Sequence, residues 1–186
     1  ELKNLGAQDV KVGVRNVSFV GDKGFMYKAN LGLRTAIKIL KPIKSFRVVN
    51  EQDLYEKVKA ISWENYLKSS GSLAIDATVH SQVFTHSQYI ALKTKDAIVD
   101  RFREKSGERP NVDLRFPDLK INIHIDRQLC TLSLDSSGES LHKRGYKTAT
   151  NIAPINEVLA AGLIMLSGWD GQSNFMDPMC GSGTIL

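Results

Sequence analysis

The sequence predicts an α+β chain, and three observations carry that prediction. Several short segments alternate apolar and polar residues with a period of two, the pattern of half-buried strands; Leu73, Ile75, Ala77 and Val79 are one such set. Other segments place their apolar residues at helical spacing, as Leu54, Val58 and Ile61 do at i, i+4 and i+7. The last part of the chain carries neither charge clusters nor alternation, but an apolar run followed by a glycine turn, and so reads as a different layer.

Taken in order, Glu1 to Leu5 reads as the last turn of a helix closed by Gly6. Val10 to Val14 and Val17 to Val20 read as two strands joined at Arg15-Asn16, residues 22–35 as a helix, and Ile37 to Leu40 as a return to strand. With one more strand ahead of Glu1, this order would complete a β-α-β-β-α-β unit of ferredoxin-like type. Asn50 can cap the next helix, since its side chain can accept a bond from a free amide of the first turn. The strand from Leu73 to Val79 leads to a long helix, His86 to Phe102. Its apolar arc is expected at Ala91, Leu92, Ile98, Val99 and Phe102, with Lys95 in the middle. Either the Lys95 stem packs while its ammonium reaches water, or the ammonium meets a phosphate.

Gly107 and Pro110 end that helix, and a hairpin follows. Leu119, Ile121, Ile123 and Ile125 alternate with Lys120, Asn122 and His124; beyond the Asp126-Arg127-Gln128 turn, Cys130, Leu132 and Leu134 alternate with Thr131, Ser133 and Asp135. Cys130 falls on the apolar face and His124 on the polar one, so the first reads as a buried thiol and the second as a solvated imidazole. A helix is expected to open at Pro154, whose fixed φ suits a first helical position, and to close at Gly168.

Charge divides the chain more sharply than composition does. All 25 Lys and Arg lie in residues 1–150, against 17 acidic residues there (+8); residues 151–186 hold only Glu157, Asp170 and Asp177 (−3), which together give the net +5. A basic body suits a polyanionic partner. The longest apolar run, Val158 to Leu166, is far short of the roughly 20 residues that span a bilayer, so no membrane partner is expected. Two cysteines, Cys130 and Cys180, form no Cys-x-x-Cys pair; neither a metal site nor a disulfide is expected, and a reducing cytoplasm fits.

Two segments carry the chemistry. His142-Lys143-Arg144-Gly145-Tyr146-Lys147 sets cations and an aromatic ring beside a glycine, a composition that can hold a phosphate backbone and stack a base. Phe175 to Thr184 reads as a strand, the acid Asp177 at its end, and a turn with Gly181 and Gly183 opening onto a helix. Glycines there let the backbone approach a ligand, which free amides can face. The spacing lacks the third glycine of a dinucleotide fingerprint and the Gly-Lys-Ser/Thr of a P-loop.

Asp177-Pro178-Met179-Cys180-Gly181-Ser182-Gly183-Thr184 resembles the S-adenosylmethionine-binding first motif of Rossmann-like RNA methyltransferases. Leu132 to Tyr146, with Ala91-Leu92-Lys93-Thr94-Lys95-Asp96-Ala97-Ile98, resembles the THUMP-containing bacterial enzymes that methylate guanine N2 of large-subunit ribosomal RNA, often labelled adenine-specific DNA methylases. The resemblance implies a ferredoxin-like unit over 1–50 with its first strand missing, a THUMP RNA-binding domain over 51–147, and a linker helix with the truncated start of a methyltransferase domain over 148–186. It implies cofactor contacts at Asp177, Pro178, Gly181, Ser182, Gly183 and Thr184. RNA contacts are implied at Lys93, Lys95, His142, Lys143, Arg144, Tyr146 and Lys147. The catalytic motif of the family is expected beyond Leu186, which leaves the 186 residues as an inactive, RNA-capturing part. Three rivals stand beside this reading. An RNA-binding adaptor would make 177–184 a plain turn, a thiouridine synthase would need a Ser-Gly-Gly-x-Asp-Ser loop that is not found, and a DNA adenine methyltransferase gives no reason for a THUMP module.

Overall fold

A computed structural model describes residues 1–145 and 154–186. The chain divides into two compact units, one made of Leu40–Gly138 and the other of Glu1–Ile39 with Glu139–Leu186.

In the unit that holds the amino terminus, α1 (Leu2–Leu5) ends at Gly6, which takes the left-handed φ of 97° expected of a helix-closing glycine. Strands β1 (Gln8–Val12) and β2 (Val17–Val20) pair antiparallel. Helix α2 (Lys23–Gly32) starts where the Asp22 carboxylate accepts from the Phe25 amide at 2.7 Å, and stops at Leu33, whose backbone is extended. Ala29, Leu33 and Ile39 form a small core with Phe19, Phe25 and Leu141 packed on it. The expected strand over Ile37 to Leu40 is not formed in this unit. Ile39 turns inward and is 5% exposed, and pairing begins only at Leu40, in the other unit.

The second unit is a five-stranded sheet in the order β3-β7-β6-β4-β5, with β3 (Leu40–Arg47), β4 (Ser72–His80), β5 (Asn111–Val112), β6 (Leu119–Asp126) and β7 (Leu129–Asp135). β3 pairs antiparallel with β7 along the sheet edge, where its register shifts between Pro42 and Lys44. Pro42 lacks a donor and Lys41 and Lys44 carry charge, features that an edge tolerates and that deter further pairing. β4 and β6 run parallel, and β6 and β7 form the expected hairpin. Its turn residue Arg127 is left-handed at φ 55°.

Helices α3 (Glu51–Lys59) and α4 (Ser87–Ser106) complete this unit. Asn50 accepts from the Asp53 amide at 2.8 Å, while the Asp53 carboxylate accepts from the Val49 amide at 3.0 Å, so the helix start is capped in both directions. Leu54, Val58, Ile90, Ile98 and Phe102 meet Ile121, Ile123, Ile125, Cys130 and Leu132 in one core, with Trp63 buried beside them. The Trp63 indole donates to the Val58 carbonyl at 2.8 Å, which satisfies its one polar atom. The buried arc of α4 is Ile90, Thr94, Ala97, Ile98, Val99 and Phe102, so Ile98, Val99 and Phe102 lie where expected. The departure from expectation is at Leu92, which is 51% exposed; counting it as core rotated the expected arc toward Lys95.

The carboxyl-terminal helix, α5 (Glu157–Ser167), begins three residues after Pro154. The reason is local, because the Asn156 side chain accepts from the Val158 amide at 2.9 Å and fixes the start there. Gly168 closes it as expected.

Candidate nucleic-acid interface and glycine loop

The residues expected to meet RNA fall in both units. In the sheet-containing unit, the Lys93 ammonium lies 5.0 Å from the centre of the Tyr55 ring, and Lys95 pairs with Asp96 at 2.7 Å. In the other unit, the His142 ring nitrogen Nδ1 is 2.8 Å from the Ser140 hydroxyl, and Lys143 lies 3.9 Å from the Glu139 carboxylate on the surface. The Arg144 guanidinium donates to the carbonyls of Asn30 at 3.1 Å and Leu33 at 2.6 Å, the unsatisfied end of α2. Tyr146 and Lys147 lie outside the described residues.

The sheet itself brings together a set of groups that sequence reading treated separately. Helices cover the face bearing Ile121, Ile123, Ile125, Cys130 and Leu132, so alternation sends the intervening residues to the opposite face. Register then builds cross-strand rows there. Ser45, Thr131, His124 and Thr78 form one, with the Ser45 and Thr131 hydroxyls 3.1 Å apart. Arg47, Leu129, Asp126 and His80 form the next, at the end of the sheet. The His80 and His124 rings touch edge to face, with centroids 5.8 Å apart.

That end row floors an open cleft of about 820 Å³, walled by the loop Ser81–Val83 and the Arg127-Gln128 turn. Backbone bonds fix both walls, from the Arg127 amide to the His80 carbonyl at 2.7 Å and from the Val48 amide to the Gln128 carbonyl at 2.8 Å. Among the described residues, the guanidinium groups of Arg47 and Arg127 have neither a carboxylate nor a carbonyl partner. The signal available in sequence was parity: His80, His124 and Asp126 each sit one position off the apolar alternation.

The glycine segment has the backbone that its composition implies. Gly181 and Gly183 are left-handed, at φ 57° and 70°. The Asp177 carboxylate accepts from the Met179 amide at 2.9 Å, and the Gly183 amide donates to the Cys180 carbonyl at 2.8 Å, so the turn is tied to itself. Pro178 and Ser182 lie within these turns, and Thr184 is buried. A Cβ added at Gly183 would meet no atom within 4 Å, so the backbone is open on that side to a close approach. The expected strand at Phe175 is replaced by a closed loop, because the Phe175 ring packs on Trp169 at 5.0 Å and the Trp169 indole donates to the Ser173 carbonyl at 2.9 Å. Among the described residues no strand lies beside it, and a strand exists only as one member of a ladder. The loop therefore fits one wall of a cofactor site.

With this geometry in view, three family models match the chain in succession. The RlmL ferredoxin-like domain matches residues 1–40, the THUMP domain residues 48–135, and the RMKL-like methyltransferase domain residues 144–186. The chain thus carries a ferredoxin-like part, a THUMP domain and the start of a methyltransferase fold. Its relatives include "Putative RNA methyltransferase slr0064" of Synechocystis sp., 42% identical over 186 residues, which cover all of this chain and 48% of that protein. "Ribosomal RNA large subunit methyltransferase K/L" of Syntrophotalea carbinolica is 43% identical over 190 residues, covering 100% of this chain and 27% of its own length. Among solved structures, a chain named "predicted N6-adenine-specific DNA methylase from Listeria monocytogenes" superposes with a TM-score of 0.84 at 35% identity, over all of this chain and 48% of that one. "SMU.472, a putative methyltransferase complexed with SAH" does so with a TM-score of 0.84 at 34% identity, over all of this chain and 49% of that one. The chain spans about half the length of these solved relatives.

Proposed function

We propose that these residues are the RNA-capturing part of an S-adenosylmethionine-dependent methyltransferase that modifies guanine N2 in large-subunit ribosomal RNA in the cytoplasm. The observation that supports this best is the coupling, in one chain, of a THUMP domain to a methyltransferase segment whose loop holds two left-handed glycines. The K/L relative is named for ribosomal RNA, and the SMU.472 structure is named for its complex with SAH, the demethylated form of that cofactor. The cofactor supplies an electrophilic methyl group when bound. The work of this chain is to bind RNA and to place the Gly181 to Gly183 backbone against the cofactor. Transfer to an exocyclic amine requires a base drawn out of its stack and held in line with the methyl group. That task belongs to the part of the relatives' length which these residues do not cover, and the 186 residues alone capture RNA without turnover.

A second reading, methylation of adenine in DNA, takes its support from the name of the Listeria structure. One experiment separates them. In the full-length protein, Gly183→Val places a branched side chain at a left-handed φ, which costs the loop its shape. It should abolish methyl transfer to ribosomal RNA and cofactor binding while RNA affinity stays within about twofold. Methylation of duplex DNA in preference to RNA would replace this reading with the second.

A further inference from the structure

We propose that the cleft at the Arg47, Leu129, Asp126 and His80 end of the sheet is a nucleotide pocket that takes one unstacked residue of single-stranded RNA. The proposal rests on the RNA-capture reading and goes beyond it by naming the site and the form of RNA. Three features point there. The cleft, at about 820 Å³, is of the size that holds a small organic ligand and is open to solvent along the sheet end. Arg47 and Arg127 stand on it without partners among the described residues, whereas Lys59, Arg101, Lys105 and Lys95 are all tied to carboxylates. An unpaired guanidinium at a concave surface is a ready phosphate ligand, planar and doubly donating.

The remaining lining fits the rest of a nucleotide. Leu129 is half exposed in the row, an apolar surface on which a base can lie. Asp126 stands two strands from Arg47, roughly 10 Å at the usual strand spacing, about the span from a nucleotide's phosphate to its base edge. A carboxylate there repels a phosphate but accepts from the N–H groups of a base, guanine offering two on one edge. Phosphate at Arg47 and base edge at Asp126 is therefore the orientation the charges allow. RNA read in sequence-specific fashion is mostly single-stranded, with its bases splayed and their edges bonded.

The test uses the 186-residue chain. Backbone amide NMR is recorded with guanosine 5′-monophosphate, guanosine and inorganic phosphate as separate probes. Affinity for a short single-stranded RNA is measured across salt for the native chain, for Arg47→Ala with Arg127→Ala, and for the surface control Arg103→Ala. The nucleotide should shift amides at 80–83 and 126–129 at lower concentration than either guanosine or phosphate. The double variant should bind RNA at least about tenfold more weakly, with the log–log salt slope reduced by about 0.7, the value for one phosphate contact on a single strand. Inorganic phosphate matching the nucleotide would mark a general anion hollow and overturn the proposal. So would a folded double variant with native affinity and slope, which leaves RNA capture standing at another surface. If the native chain binds no RNA at low salt, the capture reading itself fails, and the pocket with it.

Discussion

Arg144 donates to the carbonyl of Leu33 at 2.6 Å, across 111 positions of sequence, and closes the end of α2 with its charge. A cation at a helix carboxyl end meets both unpaired carbonyls and the negative end of the helix dipole. Arg144→Ala should therefore lower the stability of the amino-terminal unit by about 1 kcal/mol, the usual worth of such bonds at a partly solvated site. Lys143→Ala, next in sequence but paired only at 3.9 Å on the surface, should leave it unchanged. Thermal unfolding of the two variants checks the contrast; equal melting would remove the capping role.

The two cysteines should differ in reactivity. Burial pushes the Cys130 thiol up to about 12, so almost none of it is thiolate at neutral pH, and it lies in the core between Ile125 and Phe46. Cys180 is exposed. A thiol reagent should label one cysteine promptly in the native chain and the second only on unfolding. Prompt labelling of both would show that β7 opens readily.

Glu64 makes stability depend on acid. Burial opposes its ionisation, yet hydrogen bonds from Lys105 at 2.8 Å and Arg101 at 3.0 Å outweigh that and hold the carboxyl near about 2, against 4.5 for a free one. A carboxyl that binds its proton less readily when folded contributes its full stabilisation above pH 4.5 and loses it as the pH falls toward 2. Its exposure limits the contribution to about 1 kcal/mol or less. Glu64→Gln should lower the unfolding free energy at pH 7 and reduce the slope of its loss between these values, as denaturant titrations at several pH values would record.

Thr94 is fully buried in α4, and its hydroxyl has no partner among the described residues. Thr94→Val keeps the shape and removes the unsatisfied group, so it should stabilise by about 1 kcal/mol. Destabilisation on chemical unfolding would mean that the hydroxyl is bonded after all.

How much of this was legible in sequence depended on the range over which each feature is decided. The hairpin of β6 and β7, the Asn50 cap and the closing glycines Gly6, Gly107 and Gly168 rest on neighbours a few residues apart, and all of them formed as read. β3 was read four residues long and on the wrong side of Leu40, because Pro42 and its register shift break the alternation that would have marked it. The arc of α4 holds Ile98, Val99 and Phe102 as expected but departs at its amino-terminal half, because Thr94 occupies the core while Leu92 faces water. Phe175 has the composition of a strand but packs on Trp169, a contact that alternation cannot express. The Arg47 to His80 row needs the register of four strands at once, while Arg144 needs a contact with a helix more than a hundred residues earlier.

The most direct test of the central claim is the affinity of this 186-residue chain for a large-subunit ribosomal RNA transcript, measured from about 50 to 200 mM salt beside duplex DNA of the same sequence. RNA capture predicts binding that is tight at the low end, falls linearly on logarithmic axes as counterions are released, and favours the RNA at every salt concentration. Absence of binding at about 50 mM, or equal binding to the DNA duplex, would contradict it.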